Sequence, residues 1–415
     1  MNVVDRKGVT FTQKDIAEAL GYAQSTVATA LNPGSRHKLS PDIVARIQKH
    51  ADKIGYRPQR FAQILQGKKS RVVGIVTLGG LSGGAESAIN RLVSSLREGD
   101  CHVILESFRD NSKQVLNYLL DNMAECVVLC DSVLSGDAEF LGALQQRGVP
   151  MVGFRAACHD GLIAAVRQDV RKAFCDLARL HLALDSKDLC LSLPYRDPSI
   201  VPLSPPWTNT ERALGFCEAI WEAGGEVICD PDAAGVLWLP RSKMVKKPSG
   251  KKIVGRISHP VERPSINNAF DLGYFFVQTM AKKCEVPDSL LCSNDEMAIG
   301  ALAACTDFSI KVPDQLRVSG CDNSAVGNFA SLPVTTIRQP NEQMTDKIAK
   351  IVHEIMAGSI KSPMKGLHKF SCDIIAKRSI GTEDELDRVF AGSREIELDA
   401  AVFHRTVDRR VAFGE

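Results

Sequence analysis

The sequence predicts a multidomain protein with an all-α head, followed by an α/β body of two doubly wound lobes. Three observations lead there. The chain has 415 residues, more than one hydrophobic core usually supports, so two or three domains are expected. Residues 10–32 read as two short helices around a glycine turn. From Arg71 onward, apolar strands alternate with helical stretches, which is the pattern of parallel sheets joined by right-handed crossovers.

The head can be justified residue by residue. Thr12 and Asp15 form an S/T-x-x-acid start signal, because side-chain oxygens there satisfy orphan N–H groups. Ile16, Ala19 and Leu20 then recur at helical spacing. Gly21 supplies the bend, since glycine tolerates the left-handed backbone that ends a helix. In the second helix Val27, Ala30 and Leu31 point inward, leaving Gln24, Ser25 and Thr29 outward. A helix, a glycine turn and a polar-faced helix form a helix-turn-helix, the arrangement that lays a rod in the DNA major groove. Asn32–Lys38 is a Pro/Gly loop. Ser40 and Pro41 start a third helix, running to Ile54 with Ile43, Ile47 and Ile54 as its buried side and Gly55 as its stop. The head thus spans 9–56.

Residues 57–70 form a linker. Pro58 prevents a continuous helix from the head, and Phe61, Ala62, Ile64 and Leu65 make one short helix that Gly67 stops. The segment has too little apolar surface to fold alone, so it orders only against a partner.

In the body, strands are expected at 72–78, 101–107, 125–130 and 150–154, with helices at 86–98, 111–123, 137–147 and 170–183. A second series has strands at 189–193, 226–229, 289–293 and 316–321, with helices at 210–223, 268–282 and 295–305. Two series in succession imply two lobes with a ligand cleft at the strand carboxyl ends. The Gly-rich loop 78–87 lacks the G-x-x-x-x-G-K-[ST] spacing of a phosphate cradle and reads as a cleft-edge loop. Residues 239–264, with eight Lys/Arg and one acid, read as an insertion, either a solvated hairpin (the preferred reading) or an extra anionic contact. In the tail 381–415, TEDELDRVF reads as a short helix and EIELDAAVF as a strand, neither with an assignable role.

Composition bounds the function. Hydrophobic residues make up 44% and charged residues 24%, no apolar run approaches the roughly 18 residues of a membrane helix, and the N-terminus lacks a signal-peptide core. A cytoplasmic location is therefore expected. Thirteen cysteines without a C-x-x-C pair suit reduced, buried thiols, so neither metal nor cofactor is expected. The net charge of +2 conceals 12 Lys/Arg against 5 Asp/Glu in residues 1–70 and 39 against 44 in the rest. A basic head on a mildly acidic body fits a nucleic-acid reader attached to another module. No nucleophile–base pair, metal cluster or phosphate loop emerges, and His181 and His353 read as core or surface residues, so the chain is not expected to be an enzyme.

With these parts in this order, the chain resembles the lactose-repressor/galactose-repressor (LacI/GalR) family of bacterial transcription regulators. The resemblance covers about 9–380. It rests on DIAEALGYAQSTVATALN (15–32), IGYRPQRFAQILQGKKSRVVGIV (54–76), SNDEMAIGAL (293–302), RVSGCDN (317–323) and IIAKRS (374–379). It implies a periplasmic-binding-protein-like sensor over 71–380 and a homodimeric repressor reading a palindromic double-stranded operator. A carbohydrate-like effector in the inter-lobe cleft would switch it. Gln24, Ser25 and Thr29 fall on base-reading positions, where Gln pairs bidentately with adenine and Ser and Thr are less selective. Thr12, Thr26 and Asn32 fall on phosphate contacts. Arg60, Ala62 and Leu65 fall in the hinge helix, with Leu65 as the wedge in the minor groove. Arg212, Asn294, Asp322 and Asp169 fall on effector-binding or cleft-facing positions, while Asp295 reads only as a helix cap. The chain departs from the family at Thr29, often an arginine, at Ala23, usually a capping serine, and at Cys321, usually aromatic. The glycine-histidine pattern around 166–189 is degraded. These departures motivate an alternative, a DNA-binding regulator whose lobes only dimerise or contact a protein partner.

Overall fold

A computed structural model describes residues 11–32, 35–56, 69–78, 84–108, 111–130, 138–156, 161–193, 207–229, 239–245, 253–258, 268–359, 366–392 and 403–405. The chain divides into two compact units, Met1–Ser70 and Arg71–Glu415.

In the first unit, α1 (Gln13–Leu20), α2 (Gln24–Leu31) and α3 (Pro41–Ile54) enclose Ile16, Ala17, Val27, Ala30, Ile47 and Ala51. Thr12 caps α1 through a reciprocal capping box with Asp15, and Gly21 and Gly55 take the left-handed conformation, φ 70° and 68°. Ala17, not the expected Ala19, is the buried alanine, and Ala19 is exposed. At 100° per residue Ile16 and Ala17 share the inward edge, and position 19 rotates past it.

The second unit is α/β. In chain order its elements are β1 (Val72–Leu78), α4 (Gly84–Glu98), β2 (His102–Phe108), α5 (Ser112–Asp121), β3 (Ala124–Cys130), α6 (Ala138–Gln146), β4 (Met151–Phe154), β5 (Ala164–Gln168), α7 (Val170–Ala183), β6 (Asp188–Ser192) and α8 (Trp207–Glu222). There follow β7 (Glu226–Ile228), β8 (Met244–Val245), β9 (Val254–Ser258), α9 (Ala269–Lys283), β10 (Ser289–Cys292), α10 (Asp295–Asp307), β11 (Arg317–Cys321), α11 (Ala325–Phe329), β12 (Thr335–Arg338), α12 (Asn341–Met356), β13 (Gly366–Phe370), β14 (Asp373–Ala376), α13 (Glu383–Gly392) and β15 (Phe403–Arg405).

Among the described residues these strands make a six-stranded sheet, β13-β5-β4-β3-β1-β2, and a nine-stranded one, β15-β14-β12-β11-β10-β6-β9-β7-β8. Every pairing is parallel except β12–β14. Both faces of each sheet carry apolar cores under helices, which is why strands such as β1 and β3 are nearly continuous apolar runs rather than alternating.

The two lobes are not simply successive. The chain passes from the first to the second at Asp169, returns at Gln339–Pro340 to add α12 and β13, and crosses again at Ser371–Cys372 into β14. The expectation of a solvated hairpin in 239–264 is corrected. β9 lies between β6 and β7, with Gly255 and Ile257 buried, and β8 adds a parallel strand beyond β7. A strand flanked on both sides has its amides paired, so Val254 and Ile257 can leave water even in a basic stretch. In the tail, α13 matches the expected helix and buries Leu386 in the second-lobe core. β15 pairs with β14, while most of EIELDAAVF lies outside the described residues.

Candidate functional site

The head presents its polar residues on α2. Gln24 and Ser25 are exposed at its first turn, and Ala23 provides no side-chain cap. The first amides of α2 therefore lack a side-chain acceptor at the helix end where the dipole favours an anion such as phosphate. Thr29 is half-buried, and its hydroxyl donates to Ser25 O at 2.8 Å. Its methyl and the two lone pairs of its hydroxyl are what it can offer a base edge. Thr26 is half-buried and Asn32 exposed.

Thr12 is exposed, but its hydroxyl is engaged, donating to Asp15 Oδ2 at 2.8 Å and accepting from Asp15 N–H at 3.3 Å. Those bonds from Thr12, backbone first, hold the Asp15 carboxyl below its ordinary range. The cationic turn Arg36–Lys38 is exposed beside the helices of this unit. Arg60, Ala62 and Leu65 lie outside the described residues.

In the body, a cavity of about 1060 Å³ opens between the lobes. Glu86, Ser87 and Asn90 of α4 line it from the first lobe, and Glu296, the 322–324 turn and the start of α11 line it from the second. The crossover residues Gln339, Pro340 and Ser371 also line it. Its wall is acidic: Glu86, Glu296, Asp322, Glu342 and Asp373 face Arg338. Arg338 is hydrogen-bonded to Asp373, and Glu342 pairs with Arg91 at 3.4 Å.

Of the four effector positions expected from the sequence, Asp322 is on this wall. Its φ is 107°, its N–H donates to Ile337 O at 2.8 Å, and its carboxylate accepts from Gln339 Nε2 at 3.2 Å. Arg212, on α8, donates to Asn209 Oδ1 at 2.9 Å and lies over the Phe174 ring at 5.6 Å. Among the described residues its buried Nε and the Thr210 hydroxyl have no hydrogen-bond partner. A buried donor left unpaired costs free energy, so both are suited to a ligand or water. Asn294 is the N-cap of α10, its Oδ1 accepting from Met297 N–H at 2.8 Å. Asp169 caps α7 weakly at 3.4 Å and sits at the first crossover, where its N–H donates to Phe370 O at 2.8 Å.

The expectation that Asp295 only caps a helix is corrected. Asn294 is the cap, and Asp295 is the next residue, 2% exposed, with its carboxylate directed to Thr336 and Ser324. Gln339, Glu86 and Asn90 were missed in the sequence. They carry no motif, and Gln339 lies in the crossover between β12 and α12.

The described cysteines are free, and all but Cys130 and Cys284 are buried. Burial pushes the thiols of Cys126 and Cys190 up to about 12, which keeps them protonated and unreactive. Among the described residues no group of three or more His, Cys, Asp or Glu is placed to hold a metal, and no helix is long and apolar enough to cross a membrane.

Comparison with known proteins adds the following. The profile of the periplasmic binding protein-like domain matches residues 256–379. Catabolite control protein A of Priestia megaterium is 22% identical over 330 residues, 79% of this chain and 86% of its own. The HTH-type transcriptional repressor CytR of Escherichia coli K12 is 23% identical over 375 residues, 89% of this chain and 96% of its own. The HTH-type transcriptional repressor PurR of Histophilus somni is 38% identical over 72 residues, 17% of this chain and 22% of its own. The lac repressor dimer, solved with operator and the anti-inducer ONPF, superposes with a TM-score of 0.69 at 16% identity, covering 90% of this chain and all of that one. A complex of the transcriptional regulator CelR with cellobiose gives 0.57 at 18% identity, covering 89% and 99%.

Proposed function

We infer that this chain, a member of the lactose-repressor/galactose-repressor family of DNA-binding transcriptional regulators, is a cytoplasmic repressor that reads a palindromic operator as a homodimer. A small polar metabolite in the cleft switches it. The observation that carries the DNA reading is α2, with Gln24 and Ser25 exposed on an uncapped helix start in a basic head. Gln24, Ser25 and Thr29 read bases, Thr12, Thr26 and Asn32 hold phosphates, and Arg60, Ala62 and Leu65 act in the linker 57–70. The head is 9–56, and the sensor is 71–380. The lac repressor's solved complex with operator supports the DNA partner, and the CelR complex with cellobiose supports a carbohydrate-like ligand.

The cleft supports the switch. Asp322 lies on its wall, and the acidic lining favours a neutral polyhydroxylated ligand over a phosphorylated one. Ligand binding would alter the angle between lobes, and operator affinity would change by the coupling free energy.

Selection of bound sites from randomised duplex DNA by the full-length protein tests the DNA reading. It should yield a palindrome, and a Gln24→Ala variant should relax base preference at one position per half-site. Recovery without sequence enrichment would overturn base reading. A thermal-shift screen against neutral sugars, sugar phosphates and nucleosides tests sensing. Silence across the panel would leave the lobes as a dimerisation or partner-binding module.

A further inference from the structure

One buried carboxylate stands behind the second-lobe wall of the cleft. Asp295 is the first residue of α10 and is 2% exposed. Its Oδ1 accepts the Thr336 hydroxyl at 2.6 Å, and its Oδ2 accepts the N–H of Ser324 at 2.6 Å. Thr336 Oγ1 in turn accepts the N–H of Asn323 at 3.1 Å. Two consecutive amides of the turn that follows β11 therefore end on one side chain, directly or through one hydroxyl.

That turn needs holding. Asp322 and Asn323 have φ of 107° and 48°, conformations that side chains rarely adopt and that persist only where the surroundings over-determine them. Asp322, Asn323 and Ser324 all line the cavity. The neighbouring backbone makes room for the carboxylate: a Cβ at Gly320 would lie 2.4 Å from Asp295 Oδ1.

We propose that Asp295 is a positioning residue for the cleft, its ionised carboxylate fixing the Asp322–Ser324 turn and its protonation releasing it. The inference rests on the sensor reading above. Burial pushes the Asp295 carboxyl up to about 6, the bonds from Thr336 and Ser324 oppose that rise, and the charge of Asp322 adds to it. Lys377, half-buried after β14, also faces this charge. The buried thiols of Cys292 and Cys321 are pushed well up, chiefly by burial, with Asp295 contributing.

The chemistry of protonation is asymmetric. A carboxyl that takes a proton from solvent becomes a donor, but Ser324 N–H and the Thr336 hydroxyl both approach it as donors. The Thr336 oxygen already accepts from Asn323. The protonated oxygen is the weaker acceptor, so the bond to it from Ser324 N–H or from Thr336 weakens; where Thr336 turns to accept the new proton, its oxygen serves two donors and holds the Asn323 N–H less tightly.

Amide hydrogen exchange on the ligand-free, full-length protein between pH 5 and pH 7.5, corrected for intrinsic rates, tests this. The Asn323 and Ser324 amides should be protected at the upper end and lose roughly tenfold of that protection as pH falls through about 6. Asp295→Asn should flatten the pH profile of both amides. Thr336→Val should expose Asn323 while sparing Ser324, and this variant carries the test if the first does not fold. Protection of both amides that is independent of pH in the wild-type protein would overturn the proposal. So would an Asp295→Asn protein with the wild-type profile. Ligand silence in the thermal-shift screen would sink the sensor reading while leaving this profile intact, so the two failures are distinguishable.

Discussion

Replacing Leu386 with alanine tests whether the C-terminal extension is part of the second lobe or lies on its surface. Leu386 is 4% exposed on α13 and belongs to the core formed by α7, α8 and the second sheet. The helix is held at its start by Thr382, whose N–H donates to Glu385 Oε2 at 2.8 Å while Glu385 N–H donates to the Thr382 hydroxyl at 3.3 Å. Arg317 anchors the preceding turn, donating from Nε to Ile380 O at 2.9 Å. Leu386→Ala removes three buried carbons, about 2.4 kcal/mol of transfer free energy at about 0.8 kcal/mol each, and the residual cavity brings the loss to about 3 kcal/mol. For a cooperative unit of this size, 1 kcal/mol corresponds to roughly 1.5 °C, so the transition of the α/β unit should fall by about 4–5 °C in scanning calorimetry. The head transition should not move. A shift below about 1 °C would show that α13 is draped on the surface and refute its place in the core.

Three further outcomes follow from named residues. His181 is fully buried between Ser289 Oγ, 2.8 Å from Nδ1, and Ser319 Oγ, 3.0 Å from Nε2, and burial lowers its pKa from about 6.5 to about 3. A depressed histidine contributes stability that is present above pH 6.5 and lost as pH falls toward 3. The unfolding free-energy difference between wild type and His181→Gln should therefore narrow by about 2 kcal/mol from pH 7 to pH 5 in urea titrations, and parallel profiles would contradict the assignment. Asp295 runs the other way: burial outweighs its bonds, so global stability is largest below about pH 4 and falls as pH rises through about 6, even while the ionised form holds the turn locally, which is why the comparison is made between variants. Thr12→Ala should lower the head's stability by about 1 kcal/mol in chemical denaturation, and Thr12→Ser should restore it. Leu65→Ala should weaken operator binding much more than non-specific DNA binding in a fluorescence titration, and equal losses would remove it as a minor-groove wedge.

Local chemistry made the head legible. Thr12 and Asp15, Gly21, and Pro41 each act within four residues of themselves, so their effect is written in the sequence next to them; Ser40 precedes the third helix but its hydroxyl makes no cap bond. The alternation of the first four strands with helices showed the α/β class for the same reason, since apolar runs between helices are local patterns. The candidate cleft was less legible. Asp322 was found through its motif and lies on the cavity wall, but Gln339, Glu86 and Asn90 reach that wall only because the chain crosses between lobes more than once. The 239–264 stretch misled because its charge is visible locally, whereas the pairing that buries β9 is supplied by β6 and β7.

By itself, then, the sequence determined the helix-turn-helix head and the α/β character of the body, both of which rest on periodicity and turn chemistry over short spans. Tertiary structure alone decided which segments complete each lobe and which polar side chains meet. Asp295 shows the physical reason. Beside Asn294 it looks like a helix cap, yet its partner hydroxyl at Thr336 is 41 positions away, and only the approach of β12 to the start of α10 turns a surface acid into a buried anchor.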